Sequence, residues 1–541
     1  MAEAAGLALA VVGTADLCFK YGKILIDTSA SFKNAEAEVD ERVLSVKSYW
    51  KRTCTQLDFL KQIWMTLDEE HQNIQNQILK VLVGKLKIAI SKLENLLKKR
   101  RSSHEAGVHQ IAKVRRWKYI FVKPYLDEII EDLASWQKMF DPSWFLILRV
   151  SNSLIDRELS RDGSAVSSFP GVRDFRASAR EQPLRQKSVF LPGTGLDYST
   201  LRTISFASVK VAQTSDMSRW FLIDSVPYDS DGDLNLQTQD VRELARKLSY
   251  TDLLNLGLLQ CRGVIRVLKP DKRTLSSFDF VFRIPNGLSN EPQSLRGCLL
   301  AQANHTLTER VKIANQLAKS ISYIHTLGFV HKTIRPETIL VFQDNKSILG
   351  STFLVGFERF RAADGRTRRA GNSAWEVNLY HHPQRQGAIA EESYVMQHDI
   401  YSLGVVLLEI GMWDSFVCYK NDAADPIPGT SLDISLQHPA FRSPTLMKEH
   451  LVALAERALP KRMGERYKDV VVNCLTCLDE VNMDFGDPDE FVDEDGVLIG
   501  VRYIEKVCTY ISKFEMKNML IRNLDTLKTG RDNYIASLLQ W

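Results

Sequence analysis

Through most of the first ~150 residues, apolar side chains recur every three to four positions, the period of amphipathic helices. Val39, Val43, Val46 and Trp50 begin one stripe, and Leu57, Leu60, Ile63, Trp64 and Leu67 continue it. Ile74, Ile78, Leu79, Leu82, Val83, Leu86 and Ile90 mark a second long helix, and Pro124 with the run Tyr125 to Ile130 opens another. Long helices with short connections predict an all-α bundle. The apolar run from Ala5 to Val12 is too short to span a bilayer, which takes about 20 residues. Flanked by Glu3 and Asp16 and lacking a positive leader, it reads as a bundle helix and not as a signal peptide. From Ser151 to about Thr200 the periodicity fades and Ser, Arg, Gly and Pro become frequent, which predicts a connecting segment. The pattern then turns to strands at Trp220 to Asp224, Val264 to Leu268 and Phe278 to Phe282, with a helix from Asp240 to Leu248. A long amphipathic helix follows from Leu307 to Leu327.

Composition changes this picture little: 541 residues, 44% hydrophobic and 25% charged, describe an ordinary globular chain of several domain-sized units. A net charge of +4 and the lack of any zinc or RNA-binding signature argue against a nucleic-acid partner. The eight cysteines follow no disulfide framework, so a reduced, cytoplasmic setting is expected. Cys474 and Cys477 form a lone CxxC on an apolar-periodic helix, which favours packing over metal binding. Charge is uneven, however. Between Lys80 and Lys123 stand 13 lysines and arginines, among them Lys98, Lys99, Arg100, Arg101, Arg115 and Arg116, against Glu94 and Glu105 alone. Such a strip is either a solvated face or a surface for anionic lipid, where each cation contributes about 1 kcal/mol. The acidic run from Asp484 to Asp495 lacks the ligand order of a calcium loop and reads as a solvated loop, as does the arginine-rich stretch from Arg359 to Arg369.

The densest chemical signal is His331-Lys332-Thr333-Ile334-Arg335-Pro336-Glu337-Thr338-Ile339-Leu340, which resembles the catalytic loop of protein kinases. The frame of His331, Pro336 and the Ile339-Leu340 pair is kept, but Thr333 stands where kinases place the base aspartate and Thr338 where they place the metal-binding asparagine. A threonine hydroxyl cannot accept a proton near pH 7 as a carboxylate does. Downstream, Val355-Gly356-Phe357-Glu358 stands in place of the D-F-G motif, with Gly356 where the magnesium-holding aspartate belongs. Asp224 and Ser225 lie where the lysine of the third strand is expected, leaving the helix glutamate, Glu243, without its usual partner. Pro192-Gly193-Thr194-Gly195-Leu196 is the one Gly-dense stretch in this region and lacks the third glycine of a phosphate-covering loop. Gln397 to Glu409 resembles the buried helix of the large kinase lobe. The resemblance implies structural roles for His331, Phe357 and Asp399, and for Arg502 as an anchoring arginine.

Ala5 to Leu9, Ala15 to Lys23 and Gln56 to Trp64 resemble, in order, phrases of the fungal HeLo domains of heterokaryon-incompatibility and prion-inhibition-and-propagation proteins. Together the two resemblances imply a multi-domain chain: an all-α HeLo-like bundle over 1–190, then an α+β two-lobed kinase-like fold over 200–515, with lobes meeting near 297, and a helical tail over 516–541. The architecture is similar to that of mixed-lineage kinase domain-like proteins. It implies a pseudokinase controlling a membrane-active cell-death bundle, with no catalytic residues and no metal. No cofactor is expected; ATP is the alternative, and the motifs do not support it. Its partners would be proteins, through self-association or an upstream receptor, and an anionic membrane, with recruitment from the cytoplasm to the plasma membrane. The alternatives are an active kinase with rearranged chemistry and a scaffold without a membrane role.

Overall fold

A computed structural model of the chain describes residues 2–32, 37–67, 69–102, 111–149, 155, 157, 188–215, 219–228, 234–249, 257–269, 274–344, 347–357, 361–362, 374–386, 394–419, 425–482, 503, 507–508 and 511. It divides into two compact units, 1–173 and 174–541.

Among the described residues, the first unit is a bundle of α1 (Ala2–Ala30), α2 (Ala37–Ile63), α3 (Glu69–Ser102) and α4 (Ile111–Arg149). Its neighbours are unusual in that two pairs run parallel. Along α1 and α3, Thr14 meets Asn76 at 3.5 Å and Cys18 Sγ donates to Leu79 O at 3.7 Å. Along α2 and α4, Arg42 Nε donates to Asp127 at 2.8 Å, Gln137 Nε2 to Thr53 Oγ1 at 3.1 Å, and Phe59 packs edge-on to Trp144. The other adjacent pairs, α1/α2 and α3/α4, run antiparallel, through Lys61–Asp16 and through Trp136 Nε1 donating to Ile78 O. Gly22 is what lets α1 lie against Trp50, because a Cβ there would fall 1.8 Å from the indole.

Pro124 does not open a helix: α4 already starts at Ile111 and continues through it. The proline forgoes one helical hydrogen bond, and burial of Val122, Leu126, Ile129 and Leu133 on the same face outweighs that loss.

In the second unit the sheet begins inside the stretch read as a linker. β1 (Phe190–Leu191) and β2 (Leu196–Thr203) are followed by β3 (Lys210–Thr214), β4 (Trp220–Pro227), β5 (Cys261–Leu268) and β6 (Leu275–Arg283). The order is β1-β5-β6-β4-β3-β2, antiparallel except that β1 runs parallel to β5. Phe190 on β1 stacks under the guanidinium of Arg266, 4.0 Å from the ring centre. Helix α5 (Leu234–Lys247) lies on β5 and buries Val241, Leu244 and Ala245.

The large lobe is built on α6 (Leu295–Leu300), α7 (Leu307–Thr326), α8 (Met396–Met412), α9 (Pro444–Met463) and α10 (Glu465–Leu475), with the short strands β7 (Gln293–Ser294), β8 (Phe329–Val330), β9 (Ile339–Asp344) and β10 (Ser347–Leu354). Thr306 and Glu309 close a reciprocal capping box that starts α7. Every residue of α8 is buried. Gly404 and Gly411 allow this: a Cβ at 404 would sit 2.9 Å from Cys474 Cβ, and one at 411 would sit 2.5 Å from Leu459 Cδ2. Cys474 and Cys477 are buried thiols at this contact, and Cys477 Sγ donates to Gln397 O at 3.2 Å.

Candidate functional site

The ten-residue stretch beginning at His331 runs from β8 to β9 along the floor of the cleft between sheet and helices. Its geometry is fixed from below by Asp399, in the first turn of α8 and 0% exposed. One carboxylate oxygen accepts from His331 N at 2.7 Å and faces His325 Nε2 at 3.0 Å, and the other accepts from Lys332 N at 2.9 Å and Tyr394 Oη at 2.7 Å. Burial pushes the Asp399 carboxyl up, but the His325 hydrogen bond and the neighbouring histidines and amides hold it down at about 2. Lys332, whose N–H donates to this carboxylate, lies in the left-handed region at φ 70°. His331 lies 3.0 Å from Val355 O and packs against the Phe357 ring, 4.9 Å between centres. Burial depresses its imidazole from the ordinary 6.5 to about 4.

Above this floor the loop bearing Thr333 and Thr338 and the strand end bearing Gly356 are closed on each other. Thr333 Oγ1 donates to Gly356 O at 2.7 Å. Thr338 Oγ1 lies 2.8 Å from Thr333 O and accepts from Arg335 N, so its hydroxyl is engaged within its own loop. Gly356 has φ 82°, and a Cβ on it would fall 2.4 Å from Thr338 Cγ2. No side chain fits at 356 while Thr338 keeps its place. The Thr338 methyl and the Thr333–Gly356 hydrogen bond occupy the space beside Gly356.

Asp224 sits on β4, the third strand counted along the β2–β3–β4 meander, and is 1% exposed. Its Oδ2 accepts from Gly356 N at 2.7 Å and from Phe357 N at 3.0 Å. Glu243 on α5 pairs with Lys247 one turn on, at 2.6 Å, and Lys247 also donates to Leu327 O.

The Gly-dense stretch at 192–196 forms a turn between β1 and β2. The hairpin that overhangs the cleft is the one between β2 and β3, where Ser208 Oγ comes 3.3 Å from a Cβ built on Gly356. Sequence reasoning missed it because it has no glycine. In the spacing Gly-x-Gly-x-x-Gly-x-Val, the chain reads Arg202, Ile204, Ala207 and Val209, so valine was the one surviving signal. Phe206 in this hairpin has φ 54° and stacks on Tyr419, 5.3 Å between centres, while Ser205 O accepts from Ser294 Oγ at 2.7 Å.

With this geometry the similarity to known proteins has a precise location. Residues 268–422 match the protein tyrosine and serine/threonine kinase family. They are a protein kinase-like domain. The chain is 23% identical over 266 residues to rat eukaryotic translation initiation factor 2-alpha kinase 1, covering 48% of this chain and 38% of that protein. It is 27% identical over 171 residues to Arabidopsis thaliana mitogen-activated protein kinase kinase 7, covering 31% and 50%. A serine/threonine-protein kinase-like protein of the same plant is 31% identical over 105 residues, covering 19% and 28%. The chain thus spans 28% to 50% of the lengths of these relatives. Within the kinase-like domain the structure brings together His331, Thr333, Thr338, Gly356, Phe357 and Asp399. Arg502 and Glu358 lie outside the described residues, as do the acidic run from Asp484, most of the arginine-rich stretch and the carboxyl-terminal tail.

A second buried cluster lies beside the catalytic loop, and sequence reasoning missed it entirely. Arg296 on α6, 0% exposed, donates to Glu337 at 3.0 Å, to Glu409 on α8 at 2.8 Å, and to Ser415 and Tyr380. Tyr380 Oη donates on to Glu409 at 2.9 Å, and Phe416 N to the same carboxylate at 2.8 Å.

Proposed function

We propose that this chain is a non-catalytic signalling protein, a pseudokinase joined to a helical effector bundle. The observation that carries the reading is the closure of the metal cleft, with Thr338 Cγ2 where any side chain on Gly356 would have to stand. A magnesium–nucleotide does not fit these residues. Thr333 and Thr338 offer neutral hydroxyls already engaged, Gly356 offers no side chain, and Asp224 sets a carboxylate where a triphosphate needs a cation. The rival is an active kinase, favoured by the names of the relatives, which are kinases. With labelled ATP and either magnesium or manganese, the full chain transfers no phosphate to itself or to generic substrates, and ATP leaves its melting temperature unchanged. Transfer that tracks the chain through purification would overturn the reading.

For the helical unit the proposal keeps the HeLo-like, membrane-directed role and the protein partners that go with it. Support comes from the cationic strip, in which Lys80 and Lys87 are exposed. The strip is weaker than its count suggests, because Lys85 pairs with Asp132, Lys92 with Glu128 and Lys123 with Glu38. The side chains of Lys98, Lys99, Arg100, Arg101, Arg115 and Arg116 lie outside the described set. Among the described residues no helix is long and apolar enough to cross a membrane, so surface attachment is the form proposed. Phosphatidylserine vesicles sediment the full chain at about 50 mM salt and release it at about 500 mM, as screening shortens from over 10 Å to a few ångströms. Equal sedimentation with neutral vesicles would leave the scaffold reading in its place.

A further inference from the structure

The N–H groups of Gly356 and Phe357 both point at one atom, Asp224 Oδ2, at 2.7 and 3.0 Å. Consecutive amides that converge on a point form a concave anion receptor, and here the positive φ of Gly356 turns them together. The receptor belongs to the floor of the cleft, next to the catalytic loop, whereas the anion arrives on β4 of the sheet. A carboxylate at 1% exposure is stable only when donors replace its lost water. We infer that the Gly356–Phe357 amides are a binding site for a small oxyanion, carboxylate in class, and that Asp224 fills it as a tethered ligand latching sheet to floor.

Two neutral contacts cross the cleft nearby, Ser294 Oγ to Ser205 O and Phe206 against Tyr419. Neither brings a charge to the receptor. Because the tether presents Asp224 at an effective concentration in the millimolar range or above, free anions at moderate concentration do not displace it. The sheet is therefore tied to the floor by a ligand the chain carries itself, alongside the Lys247–Leu327 contact. The latch works whether or not the domain transfers phosphate, so its test is separate from that of catalysis.

Cutting Asp224 back to glycine removes a group the size of acetate and leaves room for formate. For the full chain, Asp224→Gly lowers the melting temperature of the kinase-like domain by about 5 °C. Sodium formate at about 100 mM restores at least half of that loss, sodium chloride at equal ionic strength does not, and the wild-type chain responds to neither. Equal melting of variant and wild type, or a formate effect that is absent or identical in both, would overturn the inference. Should Asp224→Gly not fold, Asp224→Asn keeps the volume and removes the charge. Amide hydrogen exchange at Gly356 and Phe357 then speeds up about tenfold in Asp224→Asn relative to wild type, and unchanged exchange would reject the latch.

Discussion

Replacing Arg296 with methionine removes about 3–5 kcal/mol of stability from the kinase-like domain, the largest effect expected of any single change in it. The guanidinium is completely buried and stands between two carboxylates, Glu337 and Glu409, whose side chains are 15% and 0% exposed. Burial disfavours its charge, but the Coulomb attraction of Glu337, Tyr380 and Glu409 prevails and raises its proton affinity. Burial pushes the Glu409 carboxyl up even with Arg296 present. Without the arginine, Glu409 must take a proton or remain an uncompensated charge, and Tyr380 and Ser415 each lose a donor. Urea denaturation of the full chain, following the transition of the kinase-like domain, measures the loss. Adding Glu409→Gln to Arg296→Met recovers part of it, because an amide needs no counter-charge. A midpoint within about 0.5 kcal/mol of wild type would show that the cage contributes nothing.

Acid is the second large lever. Three buried histidines are held neutral by desolvation: His331, depressed from 6.5 to about 4, and His382 and His398, depressed from 6.5 to about 3. Geometry agrees for the latter two, since His382 Nδ1 accepts from Gln384 N and His398 Nδ1 from Val395 N, leaving no lone pair for a second proton. A depressed histidine contributes its full stability above the unfolded value and loses it as pH falls from 6.5 toward the folded value. At pH 5 each one therefore costs about 2 kcal/mol. Carboxyls that burial raises, Asp279 and Glu409, are relieved by acid and offset part of this. Asp399 acts below this window, because its depressed carboxyl gives stability above 3.8 that is lost only as pH falls toward about 2. The net expectation is a loss of several kcal/mol between pH 6.5 and 5. Urea midpoints at pH 7.5, 6.5, 5.5 and 5.0 test it, and a flat profile would mean that these imidazoles charge freely within the fold.

What the sequence disclosed depended on how local each feature is. The catalytic loop is written in ten consecutive residues and α8 in seventeen, so pattern alone located both and exposed the threonines at 333 and 338. Arg296 was invisible because its partners lie 41, 84, 113 and 119 residues away, and no spacing rule connects them. By its place in the sequence, Asp224 is only the residue that stands where a third-strand lysine is expected. Its actual partners, two amides 132 and 133 residues onward, come together only in the fold. Pro124 misled for a different reason, since a proline reports its own backbone cost and not the burial on either side that outweighs it. The hairpin over the cleft kept its place while losing every glycine that would have announced it.

The parallel pairing of α1 with α3 has a consequence for how the bundle is made. Thr14 meets Asn76 across 62 residues of intervening chain. On a ribosome adding about 5–20 residues per second, the first helix emerges some 3–12 s before its parallel neighbour exists. α2 arrives sooner and can cover one flank through Trp50 and Gly22, but the flank carrying Cys18 waits for Leu79. During that interval an apolar amino-terminal helix has one side unclaimed. The window for misassembly of this bundle therefore includes the time taken to synthesise residues 30 to 80, in addition to whatever the finished fold's stability allows.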